Sequence, residues 1–241
     1  MASNSETGHS VNISNFKLLI DKCTAFGVKY NPSNADLSID NMTTLWETAK
    51  NANDTLSVVA ETAKQPINAR QILFEPVDKL VTRTLNYLSS TKASAQFKAD
   101  AKGLADRFRG HGIKVNKLPD GSPDPNSVST SHQGFVQKAD TFLQLVALYT
   151  SEPLYAPNEI ELQLEALGAL ALAMKTANDN IGTIIAPVDT ARVTRDHALY
   201  DEESGMVDIA AACKKYVKGV YGVGEPETNL VSGIKFTRKP K

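Results

Sequence analysis

The sequence predicts an all-α protein: an elongated helical bundle of two tandem three-helix repeats with long heptad-patterned helices. Three observations carry this. The chain repeats itself at an offset of 125 residues, each repeat contains a sustained 3-4 spacing of apolar positions, and neither stretch alternates with period two. Residues 30–56 align with 155–181. Tyr30, Pro32, Leu37, Leu45, Lys50, Ala52, Asn53 and Asp54 meet Tyr155, Pro157, Leu162, Leu170, Lys175, Ala177, Asn178 and Asp179, which is 8 identities in 27 positions.

Residues 1–14 are polar and are predicted to be a disordered tail. The first repeat spans 15–109. It opens with a helix carrying Phe16, Leu19, Cys23, Phe26 and Tyr30 on one face. Ser33 or Asn34 can then cap a long helix, with Asp36 placing negative charge near its start. Its seam runs through Met42, Leu45, Ala49, Ala52, Leu56, Val59, Ala63, Pro66, Arg70 and Leu73. A third helix covers 76–90. An extra amphipathic helix covers 93–109 and ends at Gly110 and Gly112.

Residues 110–133 are rich in Gly, Pro, Ser and Asp and read as a flexible linker. The second repeat, 134–221, opens with a helix through Phe135, Phe142, Leu145 and Tyr149, closed by Glu152-Pro153. Its long helix has the seam Leu167, Leu170, Met174, Ala177, Ile181, Ile184, Val188, Ala191, Arg195 and Ala198. Each long helix is expected to run about 35–40 residues, roughly 50–60 Å. Pro66 and Pro187 fall inside them as kinks or breaks. The last helix covers 206–221. Residues 222–241 are predicted to be an extended segment, since Gly224, Pro226, Gly233 and Pro240 disfavour helix.

Composition narrows the function. A net charge near −1 argues against a bulk nucleic-acid binder, and two cysteines make neither a disulfide framework nor a zinc cage. There is no stretch of some 18 apolar residues to span a bilayer, and the polar N-terminus is unlike a signal peptide. The expectation is a cytoplasmic protein.

The segments Tyr30 to Ser33, Leu73 to Pro76, Tyr155 to Glu159, Val207 to Ala210, Lys215 to Lys218 and Ser232 to Thr237 carry a resemblance. Across most of residues 15–237 the chain resembles a family of uncharacterised bacterial duplicated helical-bundle proteins. The resemblance implies a duplicated helical protein and no assigned activity, so no catalytic residue follows from it.

The chemistry-bearing residues are sparse. His9, His111 and His132 lie in the tail or linker. His197 sits beside Asp196 on the second long helix and reads as a surface histidine. Cys23 and Cys213 occupy apolar helix faces and read as buried, non-catalytic thiols. No metal-ligand spacing, phosphate loop or nucleophile motif is present, so no catalytic residue, cofactor or metal is assigned. Asn53-Asp54 and Asn178-Asp179 recur. The ordinary reading is a solvated face or a hydrogen bond between helices; a paired carboxylate site is the sharper one. Arg70 and Arg195 interrupt the seams and must find a partner, such as Glu75 or Asp196, specify a partner helix, or bind an anion.

The expected function is a non-enzymatic structural or interaction protein. It self-assembles into a homo-oligomer through helix faces and the C-terminal segment. The interaction residues are Arg70, Arg195, Ile234, Phe236, Arg238 and Lys239. The basic end would meet Asp201, Glu202 and Glu203 of a neighbour, or Ile234 and Phe236 would dock on the chain's own bundle. The alternative is a ligand- or nucleic-acid-binding bundle using basic segments 98–117 and 235–241.

Overall fold

A computed structural model describes residues 8–110 and 133–238. Among these residues the regular structure is helical, with no strand. In chain order the helices are α1 (His9–Ala25), α2 (Ile39–Phe74), α3 (Val77–Ser90), α4 (Ala95–Arg109), α5 (Phe135–Thr150), α6 (Leu164–Asp179), α7 (Ile181–Tyr200), α8 (Met206–Tyr221) and α9 (Pro226–Ser232).

The seams place what they were expected to place. All of the seam positions, Met42 to Leu73 on α2 and Leu167 to Ala198 on α6 and α7, are buried or half-buried. Local geometry also recurs at the offset of 125. A single 3-10 turn covers Ala35–Leu37 and again Ile160–Leu162, and the following helices begin at Ile39 and Leu164. The Tyr30 hydroxyl donates to the Leu37 carbonyl at 2.7 Å, and the Tyr155 hydroxyl to the Leu162 carbonyl at 3.1 Å. Each tyrosine thus ties the Y-x-P loop to the turn that starts a helix.

The long helices differ. α2 runs unbroken for 36 residues with Pro66 inside it. Its counterpart is two helices, separated at Asn180, rather than one long helix kinked at Pro187. The sequence there, Asn178-Asp179-Asn180-Ile181-Gly182, is a run of poor helix formers, and Pro187 removes a further backbone bond downstream.

Packing divides the chain into two compact units: residues 1–63 with 185–241, and residues 64–184. The division expected at the linker, 15–109 against 134–221, is therefore not the one that packing makes. Each unit joins the front of one of the two stretches expected as repeats to the back of the other. The physical reason lies in helix length. A 36-residue helix spans about 54 Å, twice the length of the 17-residue α1, so its two halves need different neighbours.

In the first unit α1, the start of α2, the end of α7, α8 and α9 enclose Phe16, Leu19, Ile20, Cys23, Met42, Leu199, Met206, Ala210, Cys213 and Val217. In the second, α3, α4, α5 and α6 enclose Val77, Val81, Leu88, Phe108, Phe142, Leu145, Tyr149, Leu167 and Met174. Gly205 joins α7 to α8 in the first unit. A Cβ there would lie 2.5 Å from the Asp201 amide nitrogen, so the chain turns only with glycine at this point.

Two terminal expectations need correction. Residues 9–14 belong to α1 rather than to a disordered tail, because Ile13 is buried and Asn12 is bonded to the far end of the chain. The segment 222–241 is not extended throughout, since α9 lies within it. Pro226 stands at the first turn, where its missing N–H costs nothing, and so begins a helix instead of preventing one. The bulk of the linker, 111–132, and the basic residues Lys239 and Lys241 lie outside the described residues.

Candidate functional site

Two features of the first unit carry chemistry. The first is a thiol joint. Cys23, in the last turn of α1, and Cys213, midway along α8, face each other with their sulfurs 3.5 Å apart. They are 1% and 0% exposed. The Tyr30 hydroxyl lies 3.4 Å from the Cys213 sulfur, and the Tyr216 ring meets Tyr30 edge-on at 5.3 Å. The hydrogen bond to Cys213 and burial push the Cys23 thiol up from its ordinary range. The same bond holds Cys213 low against burial, with a smaller contribution from the Lys214 cation. Lys214 is itself lowered, by burial above all. The two sulfurs share one contact in which either can be the donor.

The second unit has a joint of the same form built from hydroxyls. Tyr149 of α5 donates to the Thr84 hydroxyl of α3 at 3.0 Å, and Tyr155 meets Tyr87 edge-on at 5.3 Å. Burial raises Tyr149 to about 12.

The second feature is the anchorage of the C-terminal segment. Asn12 of α1 donates to the Thr237 carbonyl at 2.8 Å and accepts from the Thr237 amide at 2.9 Å. Asn15 donates to the Lys235 carbonyl at 2.7 Å. Lys214 donates to the Ile234 carbonyl, and Arg238 pairs with Asp208. Ile234 and Val231 enter the core, and Phe236 meets Phe16 edge-on at 6.4 Å beneath the Lys214 ammonium. Beside this segment lies an open groove of about 470 Å³, bordered by Val11, Asn15, Leu18, Leu230 and Lys235. A further cleft of about 330 Å³ is lined by Asp36, Asn41, Thr44, Thr48 and Ser204 over Leu45 and Ile209. Three of its polar side chains already donate to helix and turn carbonyls.

The sequence-predicted residues fall as follows. Ile234 is buried and Phe236 half-buried on their own unit, and Arg238 meets Asp208 rather than Asp201, Glu202 or Glu203. Lys239 is outside the described residues. Arg195 makes a two-nitrogen bond with Asp196 at 2.6 and 3.0 Å. Arg70 lies over the Phe135 ring at 4.3 Å, with its Nε buried and unpartnered. Asn178 of α6 donates to the Phe135 carbonyl at the start of α5 at 2.9 Å, and Asn53 of α2 reaches Ser10 at the start of α1. Asp54 pairs with Lys50. His197 pairs with Asp201 on the surface, and His9 bonds Tyr200.

In the basic stretch, Lys98 donates to the Ser89 and Thr91 carbonyls at the end of α3, Lys102 pairs with Asp106 and Arg109 bonds Thr82. These three cations bond to neighbouring groups of α3 and α4. Sequence reasoning missed Asn12, Lys214 and Tyr216. Asn12 left one signal: it is polar, yet lies on the apolar face one turn before Phe16.

Among the described residues, no group of three or more His, Cys, Asp or Glu is placed to hold a metal ion, and no helix is long and apolar enough to cross a membrane. Compared with protein-family models, curated proteins and solved structures, the chain matches none.

Proposed function

We propose that this chain is a non-enzymatic structural or interaction protein that associates with further copies of itself. The supporting observation is the groove beside the docked C-terminal segment. Leu18 and Leu230, 44% and 49% exposed, stand at its edge next to Val11, while Asn15 and Lys235 supply polar groups at the rim. Exposed apolar side chains with polar groups beside them are what a protein–protein contact covers. On this reading the C-terminal segment serves assembly by shaping the groove, while Ile234 and Phe236 hold the segment in place.

The test is sedimentation equilibrium of the full chain and of a Leu18→Asp, Leu230→Asp double variant over a wide concentration range. Self-association weakened about tenfold or more in the variant is the expected result. Both side chains are exposed, so the thermal midpoint should stay within a few degrees. A full chain that is monomeric at every concentration overturns the proposal. Retention on heparin that weakens steeply with salt would favour the nucleic-acid reading instead.

A further inference from the structure

We propose that Cys23 and Cys213 form an oxidisable pair, which closes to an intrachain disulfide and staples α1 to α8. Three observations carry this. The sulfurs already face each other at 3.5 Å, inside one compact unit, on two helices whose packing fixes both. A disulfide needs a separation near 2.05 Å, so they must close by about 1.5 Å, within reach of side-chain rotation and a small helix adjustment. The hydroxyl joint of the second unit is the third observation. There the same contact between a first and a third helix is made by Tyr149 and Thr84, so the packing of such a joint does not require two thiols. Two thiols add a covalent option that the hydroxyls lack.

Both sulfurs are buried in the folded joint, so exchange begins before the joint closes; either thiolate can begin it, Cys213 for instance. The oxidant is a low-molecular-weight disulfide of the glutathione class. The Cys213 thiolate attacks one sulfur of it. The S–S bond breaks, and one glutathione leaves as a thiolate that takes up a proton. Cys23 then loses its proton and attacks the Cys213 sulfur of the mixed disulfide, expelling the second glutathione. In sum, two protein thiols are oxidised to one disulfide, and one glutathione disulfide is reduced to two thiols.

The bond would join positions 190 residues apart in sequence. Closing so long a loop restricts the unfolded chain strongly and favours the folded unit. In a reducing compartment the pair stays as two thiols; under oxidising conditions it locks the joint.

The test uses the full chain. It is unfolded with its thiols reduced, then refolded in mixtures of reduced and oxidised glutathione, so that exchange precedes burial. Thiols are trapped in denaturant and the chain is analysed by mass. The expected result is a monomeric chain two hydrogens lighter, with one linked peptide pair containing Cys23 and Cys213. Its thermal midpoint should lie at least about 5 °C above that of the reduced form. Cys23→Ser and Cys213→Ser variants should show no intrachain bond, a readout that does not depend on their folding. Free thiols after refolding, or only mixed and intermolecular disulfides, would overturn the proposal. So would a bond whose formation leaves the midpoint unchanged or lower, because the native joint would then not accommodate it.

Discussion

Single side chains decide how the ends and loops of this molecule are held. Asn12 offers both a donor and an acceptor to the Thr237 backbone, and it is 1% exposed. An Asn12→Ala change removes both bonds to the Thr237 backbone, a loss of about 1–3 kcal/mol at roughly 0.5–1.5 kcal/mol for each bond. Amide hydrogen exchange at Thr237 should accelerate strongly, with α4 unaffected. Tyr149 makes a different prediction. Burial raises it to about 12, above the ordinary value near 10, so the folded chain holds this proton more tightly than the unfolded chain does. Its contribution is whole below pH 10 and is lost as pH rises from 10 through 12, a loss of order 2 kcal/mol. Burial likewise raises Tyr30 and Tyr155, adding in the same direction. Thermal midpoints should therefore fall between pH 9.5 and 11.5. Tyr149→Phe should flatten that fall, at some cost at neutral pH because Thr84 loses its partner. A midpoint that is level across this range would contradict the burial argument.

At the scale of elements, local sequence sets most boundaries, and tertiary contacts set the rest. The 3-4 seams of α2, α6 and α7 were legible because every position on them is buried or half-buried. The start of α8 and the ends of α3 and α4 were legible too, from periodicity and a glycine stop. The first turn of α1 was not. Its residues 9–14 look polar, and they are helical because Asn12 and Ile13 meet a partner segment some 220 positions away. α9 was hidden by reading Pro226 as a breaker, although proline at the first turn is favoured. Pro66 behaves otherwise, lying within α2 where the Thr62 carbonyl loses its backbone donor. Pro66→Ala should restore that bond and stabilise the protein by about 2 kcal/mol, after allowance for the freer unfolded chain. Denaturant unfolding is the measurement, and a destabilised variant would mean that the ring packs better than the bond it displaces. Of the thiol joint, the sequence showed two cysteines on apolar faces. It could not show that they share one joint, because a tandem reading places them in different repeats.

For the whole molecule, the informative feature is that each compact unit is assembled from distant parts of the chain. The first unit closes on Phe236 against Phe16, and the second closes on Phe108 against Phe142 at 6.1 Å. Phe236 lies in the C-terminal segment and packs on α1, whereas Phe108 lies in α4 and packs on α5. A tandem arrangement predicts that damage at Phe108 spreads to α1, its partner in residues 15–109. The observed units predict that it spreads to α5 instead. Phe108 is 1% exposed, so Phe108→Ala should cost about 3–5 kcal/mol; half-buried Phe236→Ala should cost about 1–3 kcal/mol. Hydrogen exchange read by mass spectrometry separates the two cases. Phe108→Ala should speed exchange in α3, α4 and α5 while α1 and α8 keep their protection. Phe236→Ala should speed it in α1, α8 and α9 while α4 and α5 keep theirs. If Phe108→Ala instead loosens α1 and spares α5, the packing follows the tandem halves and the division into interleaved units is wrong.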